Sequence, residues 1–253
     1  MRLSKRLETI IEQTKLWVQG QEGDVCVADV GTDHGFVPIC LIERGIVSRA
    51  LALDVREGPL MRAQGHVLQH GLEGKIGVRL SDGLKGLRPQ EADVVVIAGM
   101  GGELMLRILE EGGHMREFVQ CFILSPQSEL PLFRHGLEKL GLLIRDEVMV
   151  EEDGKYYTVM TAVPGKMHYP KEYCYRYGER LIADKSRVLA EFLEKEIGQL
   201  LKIRGQLLAG GGDGVAKRLQ EIEEKLREAG QVRELLAEGE APGCTGKRKN
   251  GGT

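Results

Sequence analysis

The sequence predicts an α/β fold in two parts: a doubly wound, mostly parallel sheet with an antiparallel edge hairpin, followed by an α-helical hairpin. Three observations lead to this prediction. Apolar, β-rich runs alternate with helical segments as far as residue 140, two β-rich runs then follow each other directly, and the chain beyond residue 173 is charged and heptad-like. Strands that are apolar throughout, rather than at every second position, imply a sheet covered by helices on both faces.

The elements of the first part are predicted in order from apolar spacing and turn residues. An opening helix is predicted over residues 3–19, with Arg2, Lys5, Arg6 and Lys15 on the face opposite its apolar side. Five strands are predicted at Val25–Val30, Arg49–Val55, Ile76–Leu80, Val94–Ala98 and Cys121–Leu124. The helices between and after them are predicted at Pro38–Arg44, Gly58–His70, Glu103–Glu110 and Leu130–Leu140. The hairpin strands are predicted at Leu142–Val150 and Lys155–Val163.

The second part repeats apolar residues in alternating steps of four and three, the spacing of a coiled-coil seam. One such stretch extends from Tyr173 to Leu208 and the other from Val215 to Ala237, with Arg233 interrupting the second seam. A glycine-rich run at 209–214 separates them, and no helix tolerates such a run. We therefore expect an antiparallel helical hairpin.

Three regions follow from these patterns. Residues 1–165 form the sheet domain with its opening helix, residues 166–238 the helical coiled-coil domain, and residues 239–253 a tail expected to be disordered. The tail contains Lys247-Arg248-Lys249, which suits either contact with RNA or a solvated segment.

Length and composition limit the possible functions. The 253 residues carry a net charge of −3, so a nucleic-acid partner would have to be met by a local basic patch. Five scattered cysteines without a C-x-x-C pair argue against a zinc site and a disulfide framework. The N-terminus lacks the apolar core of a signal peptide, and no uncharged stretch approaches the ~20 residues of a membrane span. We expect a cytoplasmic monomer with no metal and no membrane attachment.

The turn after the first predicted strand reads Gly31-Thr32-Asp33-His34-Gly35. A glycine there lets a ligand approach the backbone, and the following helix offers unpaired N–H groups. A dinucleotide fingerprint has a second glycine where Asp33 stands, and a carboxylate would repel a pyrophosphate. It suits a cationic ligand such as S-adenosylmethionine, which carries an ammonium and a sulfonium. A tight turn capped by an aspartate is the alternative.

Two more acids follow predicted strands. Asp54 closes the second strand 23 positions after Gly31, near the ~20-residue offset at which an acid binds ribose hydroxyls. Asp82 precedes Gly83 after the third strand, where it could accept a hydrogen bond from an adenine amino group or simply form an Asp-Gly turn. Since consecutive parallel strands end at one crevice, Asp29, Asp54 and Asp82 are predicted to converge there.

A glycine-rich turn follows the fourth strand, with the sequence Ala98-Gly99-Met100-Gly101-Gly102. This glycine density allows a second substrate to approach the backbone closely. The Asn-Pro-Pro-Tyr motif with which many exocyclic-amine methyltransferases hold an amino group is absent. A ring nitrogen with a free lone pair needs no deprotonation before attack, so the turn suits a ring-nitrogen acceptor.

Together these motifs resemble a known family, the bacterial tRNA (adenine(22)-N1)-methyltransferases, TrmK. The resemblance covers roughly residues 1–163, in the segments Leu3–Leu7, Ala28–Gly35, Ala52–Val55, Gly58–Leu60, Asp82–Leu84, Ile97–Gly102 and Glu152–Tyr157. It implies a Rossmann-like class I methyltransferase that uses S-adenosylmethionine to methylate N1 of an adenine in the D arm of tRNA. Two positions depart from the family pattern: Ser125-Pro126-Gln127 stands where Gln-Pro-Asn is typical, and Arg56 stands where Asn is typical.

The motifs and the resemblance assign a role to individual residues. Asp29 is the predicted catalytic residue, stabilising positive charge on the adenine ring, with the methionine ammonium as its alternative partner. Cofactor contacts are expected from Gly31, Thr32, Asp33, His34, Gly35, Asp54, Asp82, Gly83, Ala98, Gly99 and Met100. Substrate contacts are expected from Gly101, Gly102, Gln127, Lys5 and Arg6, although basic residues on a helix fit a solvated face equally well.

Other functions stay open from the sequence alone. The same motifs fit a methyltransferase for another RNA, a protein or a small molecule. An NAD-dependent oxidoreductase is disfavoured by Asp33 and by the missing third glycine. A non-catalytic scaffold could pair through the heptads, but a helical hairpin can be wholly intramolecular.

Overall fold

A computed structural model describes residues 3–210 and 215–238 of the chain. The chain divides into two compact units between Met167 and His168. The first unit is built on a sheet, and the described part of the second is helical. The predicted tail and the centre of the glycine run, 211–214, lie outside the described residues.

The first unit alternates helices and strands and ends in a strand pair. Its helices are α1 (Lys5–Val18), α2 (Phe36–Glu43), α3 (Glu57–Gln69), α4 (Gly102–Glu111) and α5 (Leu130–Lys139), with a 3₁₀ turn at Gly113–Met115. Its strands are β1 (Cys26–Val30), β2 (Arg49–Asp54), β3 (Ile76–Leu80), β4 (Val94–Ala98), β5 (Cys121–Ser125), β6 (Leu142–Glu152) and β7 (Lys155–Pro164). The predicted elements are all present, with bounds that coincide or shift by one or two residues.

The strands form one seven-stranded sheet in the order β3-β2-β1-β4-β5-β7-β6. Strands β1 to β5 are parallel, whereas β7 is antiparallel to both β5 and β6. The predicted α/β class and the antiparallel edge are therefore confirmed. The order reverses between β1 and β4, which is the switch point where open α/β sheets bind ligands.

The central strands are buried on both faces, as their continuous apolar sequences predict. Every residue of β1 is buried, as are Val94–Ile97 of β4. The helices α1 and α2 cover one face, where Ile10, Ile11 and Ile39 join the strand residues in one apolar cluster. This burial keeps the sheet rigid behind the turns at its carboxyl edge.

The hairpin of β6 and β7 projects past the carboxyl edge of the parallel strands. Leu124 of β5 pairs with Met160, so Lys155 at the start of β7 lies about 13 Å beyond the end of β5. The strands are longer than predicted because the turn consists only of Asp153 and Gly154, both with positive φ (52° and 78°).

The second unit contains α6 (Glu172–Tyr177), α7 (Glu179–Ala183), α8 (Arg187–Gly210) and α9 (Val215–Ala237). The helices α8 and α9 pack together and are antiparallel, with Arg233 3.7 Å from Glu194. The predicted antiparallel helical hairpin is therefore present as α8 and α9, whereas the heptad-like stretch that begins at Tyr173 is divided among α6, α7 and α8. Gly178 (φ 93°) and Lys185 (φ 52°) break it, since neither conformation continues an α-helix.

Candidate active site

A cleft of about 400 Å³ opens at the carboxyl ends of β1, β2 and β3, beside α4. Five residues predicted to contact the cofactor line it, namely Gly31, Asp54, Asp82, Gly83 and Met100. The remaining lining residues are Val30, Val55, Arg56, Ser81, Leu104, Arg107, Ile108 and Glu111. The turns after four different strands therefore meet at one place, the switch point of the sheet.

The turn after β1 is fixed to β2 and leaves no room for a side chain at Gly31. The N–H groups of Gly31 and Thr32 both donate to the carbonyl of Leu53, at 2.8 and 2.9 Å. Gly31 has φ +79°, and the terminal methyl of Met100 occupies the space that a β-carbon would need. Glycine is required here both by conformation and by space.

Asp54 is buried at the end of β2 and faces the cleft. Its Oδ1 accepts a hydrogen bond from the N–H of Arg56 at 2.8 Å, and its carbonyl accepts one from the N–H of Ser81 at 2.9 Å. The first bond lies within the turn after β2, and the second joins the end of β2 to the turn after β3. The carboxylate is thereby held in a fixed orientation within the cleft wall.

Asp82 lies at the opposite, open side of the cleft, with 62% of its side chain exposed. Lys85 lies 2.6 Å from Asp82 and also 2.6 Å from Glu111 of α4. The hydrogen bond from Lys85 lowers the pKa of Asp82 below its usual value. Asp82 is therefore ionised at neutral pH and already paired with an ammonium group.

Asp29 lies within β1, outside the lining of the cleft, and it is buried. Burial raises its pKa from 3.8 to about 6; Thr32 partly offsets this shift, and the charge of Asp54 adds to it. Thr32, which causes this offset, is itself buried. The site thus contains a buried carboxyl that titrates close to neutral pH, next to a second carboxylate.

Asp33, His34 and Gly35 contact α3 rather than the cleft. Arg62 donates to Asp33 at 2.9 Å and lowers the pKa of its carboxyl. The ring of His34 stacks on that of Phe36, with centroids 5.2 Å apart. The backbone carbonyl of His34 accepts a hydrogen bond from Nδ1 of His66. A β-carbon at Gly35 would lie 3.3 Å from that of Ala63. Their cofactor roles remain predictions, whereas their contacts with helices are observed.

The turn after β4 is locked to the turn after β5. The N–H of Gly99 donates to Ser125 (3.3 Å) and that of Gln127 to Met100 (2.9 Å). A β-carbon at Gly102 would lie 2.8 Å from the carbonyl of Ser128. The structure thus brings Gln127 next to the turn Ala98–Gly102 at the carboxyl edge of the sheet. Within this pair of turns, substrate contacts were predicted for Gly101, Gly102 and Gln127, and cofactor contacts for Ala98, Gly99 and Met100.

Lys5 and Arg6 lie at the start of α1, where the hairpin tip holds them. The N–H of Lys5 donates to Glu152 at 2.6 Å and its Nζ to the carbonyl of Glu151 at 3.0 Å. The guanidinium of Arg6 lies 5.2 Å from the centre of the Tyr157 ring. Because the tip projects past the sheet, both cations lie on the cleft side of this unit, and acidic neighbours partly offset their charge.

The residues from α4 were missed by sequence reasoning. Leu104, Arg107, Ile108 and Glu111 recur at steps of three, one and three, so the helical spacing shows that they share a face. Nothing in that spacing shows which face turns to the cleft, because this depends on how α4 packs on the sheet. Val55 and Ser81 could have been found as neighbours of the predicted acids.

Within residues 3–210 and 215–238, no helix is long and apolar enough to cross a bilayer. The same residues contain no group of three or more His, Cys, Asp or Glu side chains arranged to hold a metal ion.

The sheet order, with an antiparallel β7 between β5 and β6, and the carboxylate-lined cleft at its switch point define a Rossmann-like class I methyltransferase. The family model described as tRNA (adenine(22)-N(1))-methyltransferase, TrmK, matches residues 27–231. The chain belongs to this family, which confirms the resemblance found in its motifs.

Individual relatives agree with this assignment. The tRNA (adenine(22)-N(1))-methyltransferase of Bacillus subtilis is 36% identical over 165 residues, which span 65% of this chain and 66% of that relative, just under two thirds of its length. The crystal structure of Sp1610 from Streptococcus pneumoniae superposes with a TM-score of 0.81 at 33% identity, covering 92% of this chain and 100% of that one. The Sp1610 complex with S-adenosyl-L-methionine gives a TM-score of 0.79 at 32% identity with the same coverage.

Proposed function

We propose that this protein transfers a methyl group from S-adenosylmethionine to N1 of adenine 22 in the D arm of tRNA. Family membership supports the reaction, and the similar proteins from Bacillus subtilis and Streptococcus pneumoniae support the substrate and the donor, respectively. One structural observation carries the proposal: a buried carboxylate, Asp54, ends β2 inside a cleft at the switch point of the sheet.

The cleft residues fit such a donor. The Oδ2 atom of Asp54 accepts no hydrogen bond from any residue that the structure describes, so it can accept from ribose hydroxyls. Val55, Leu104 and Ile108 supply apolar surface suited to an adenine ring. The space beside Gly31 that a β-carbon would fill is occupied by the terminal methyl of Met100, so a ligand that approaches this backbone closely has to displace that flexible side chain.

S-adenosylmethionine, when bound, supplies a methyl group activated by its sulfonium. The contribution of the protein is alignment of the acceptor and exclusion of water. Adenine N1 lies on the Watson–Crick edge, so the target base has to be unpaired or extruded before it enters the site. The locked turns after β4 and β5, with Gly101, Gly102 and Gln127, are the proposed seat of that base.

Asp29 is the proposed catalytic group. Methylation at N1 places positive charge on the adenine ring, and a preorganised carboxylate stabilises this charge most effectively where water is excluded. Its pKa of about 6 leaves Asp29 mainly ionised at neutral pH. Asp82 and Glu111, both on the open side of the cleft, add negative potential that favours a cationic donor.

Lys5 and Arg6 are the proposed phosphate contacts of the first unit. Their position at the hairpin tip supports this role, because the tip lies beyond the carboxyl ends of the parallel strands, where the cleft also opens. Phosphate contacts release counterions, so binding should weaken steeply as salt is added. A flat salt profile would count against these two residues.

Primer extension on treated tRNA tests the function directly. Methylation at N1 blocks base pairing, so a new stop one nucleotide before adenine 22 is expected with tRNA and S-adenosylmethionine. Free nucleosides should not serve as acceptors. This result would distinguish the protein from a small-molecule methyltransferase, which would methylate them. Absence of the stop would contradict the proposal.

The Asp54→Ala variant tests the site. We expect its dissociation constant for S-adenosylmethionine to rise by at least tenfold, because a charged hydrogen-bond acceptor is lost from the cleft. The matched control is Asp93→Ala: Asp93 also accepts a backbone N–H, that of Cys26 at 2.8 Å, but at the amino edge of the sheet. Unchanged donor affinity in Asp54→Ala would remove Asp54 from the site.

A cytoplasmic, monomeric enzyme is part of the proposal. Cys26, Cys40, Cys121 and Cys174 are buried free thiols, which suits a reducing compartment. Light scattering on the purified protein measures the oligomeric state, and a mass of twice 28.0 kDa would contradict the monomer.

A further inference from the structure

Arg56 lies at the rim of the cleft, between β2 and α3. It occupies the N-cap position of α3 in an extended conformation (φ −115°, ψ 137°), and its side chain makes no capping hydrogen bond. Short polar residues, including the Asn typical of the family, are the ones that cap a helix from this position. The side chain of Arg56 instead lines the cleft, and 77% of it is exposed.

The positive charge of Arg56 is only loosely paired. Its Nε lies 3.8 Å from Oδ1 of Asp54, beyond ordinary hydrogen-bond distance. The other nearby carboxylate, Asp33, is bound by Arg62 at 2.9 Å; Arg62 does most to lower the pKa of Asp33, and Arg56 has a smaller effect. The guanidinium of Arg56 therefore lies at the entrance of the cleft in a long ion pair with Asp54, and among the described residues it donates no hydrogen bond to a carboxylate.

A cation at this rim acts differently on the two forms of the donor. S-adenosylmethionine carries a sulfonium, whereas S-adenosylhomocysteine, the product left after methyl transfer, does not. The cleft measures about 400 Å³, so a charge bound in it lies within about one Debye length, ~8–10 Å, of the rim. Two unit charges at that separation change a dissociation constant by about two- to tenfold, depending on the local dielectric.

We propose that Arg56 is a donor-selectivity residue whose guanidinium weakens binding of the cationic donor relative to the neutral product. The inference rests on the proposed use of S-adenosylmethionine. Its consequence is stronger product inhibition than an enzyme with Asn at this position would show.

Isothermal titration calorimetry on the purified full chain tests the proposal. The quantity measured is the ratio of the dissociation constant for S-adenosylmethionine to that for S-adenosylhomocysteine. We expect Arg56→Gln to lower this ratio by about two- to tenfold, whereas Arg56→Lys keeps it within about twofold of wild type. The difference between Arg56→Gln and wild type should shrink between about 50 and 500 mM salt because the charge is screened.

This ratio separates an effect of charge on binding from the loss of a packing contact, because a lost packing contact weakens the binding of both ligands to the same extent. The matched control is Arg49→Gln, which removes the same charge from the exposed amino end of β2, ~16 Å from Asp54. An unchanged ratio in Arg56→Gln overturns the proposal, and so does an equal change in Arg49→Gln. If the wild-type protein binds neither ligand, the proposed function fails as well, whereas normal binding with an unchanged ratio overturns the selectivity role alone.

Discussion

The terminal methyl of Met100 lies directly against Gly31, so the turns after β4 and β1 meet at the cleft. This contact joins the proposed donor side of the site to the proposed acceptor side. Each turn depends on the other for its position. A substitution at Gly31 therefore has to move Met100 as well.

Gly31→Ala should destabilise the protein and weaken donor binding together. The positive φ alone costs about 1–2 kcal/mol for a residue with a β-carbon, and displacement of Met100 adds to this. Thermal unfolding and calorimetric binding of S-adenosylmethionine measure the two effects. The control is Gly23→Ala, since Gly23 has φ +90° with no heavy atom within 4 Å of a built β-carbon. If the two variants bind S-adenosylmethionine with equal affinity, the contact between Met100 and Gly31 does not contribute to donor binding.

Asp29→Asn should stabilise the fold while abolishing methyl transfer. Burial raises the pKa of Asp29 from 3.8 to about 6, so the folded state disfavours the ionised carboxylate. Through this group, the stability of the wild type falls as the pH rises from about 4 to about 6. We expect the variant to be more stable by up to about 3 kcal/mol at pH 8, with roughly half of that gain left at pH 5. Urea unfolding at both pH values measures this difference in unfolding free energy. A variant less stable than the wild type at pH 8 would show that burial does not disfavour the ionised Asp29.

The methyl-transfer rate of the wild type should follow the ionisation of Asp29. Since a protonated carboxyl cannot stabilise a developing cation, the single-turnover rate is expected to fall below about pH 6, approaching tenfold per pH unit. Rapid-quench measurements with saturating donor and tRNA between pH 5 and 8 give the profile. A rate independent of pH across this range would remove Asp29 from the catalytic role.

A buried ion pair between α5 and β6 should dominate the charge-dependent stability of the first unit. Arg134 and Glu147 are 0% and 1% exposed, and Nε and Nη2 of Arg134 donate to one oxygen of Glu147 at 3.0 and 2.6 Å. Arg134→Met should cost about 3–5 kcal/mol in unfolding free energy because it leaves a buried carboxylate without its cation.

Two comparisons make the ion-pair prediction specific. The double variant Arg134→Met/Glu147→Leu should recover most of the loss, since replacing a whole buried pair with apolar groups is often nearly neutral. Arg187→Met, which removes an exposed partner of Glu191, should cost under about 1 kcal/mol. Denaturant unfolding followed by circular dichroism gives all three values, and a small loss in Arg134→Met would refute the prediction.

Much of the fold could be predicted because its signals are local. The strand β4 is apolar throughout, and the only charged residues of β1 and β2 are Asp29, Arg49 and Asp54. Each of the three strands ends at an acid or just before a glycine, so both their existence and the position of the crevice follow from the sequence. The break of the helical region at Gly178 was not predicted, because a single glycine is a weaker breaker than the glycine run at 209–214. Glycine is also tolerated inside helices, so composition alone did not decide the matter.

The candidate site was predicted less completely because its geometry depends on packing. Asp54 and Asp82 reach one cleft as expected, but the pairing of Asp82 with Lys85 and Glu111 depends on how α4 lies on the sheet. Asp33 follows the same rule: its partner Arg62 comes from a helix 29 residues further along. Sequence patterns indicate which residues share an element, and the fold decides which of them meet.

The packing of α1 against the far edge of the sheet affects how the protein is made. Gln13 accepts a hydrogen bond from Thr161, 148 residues later in the chain, so at ~5–20 residues per second the ribosome needs roughly 7–30 s to supply this partner. Before β5, β6 and β7 are made, the apolar face of α1, with Ile10, Ile11 and Trp17, lacks most of its packing partners, and α2 is the main element available to it. During that interval the nascent chain exposes the apolar face of an amphipathic helix. We expect a chaperone that acts during translation to bind this segment first.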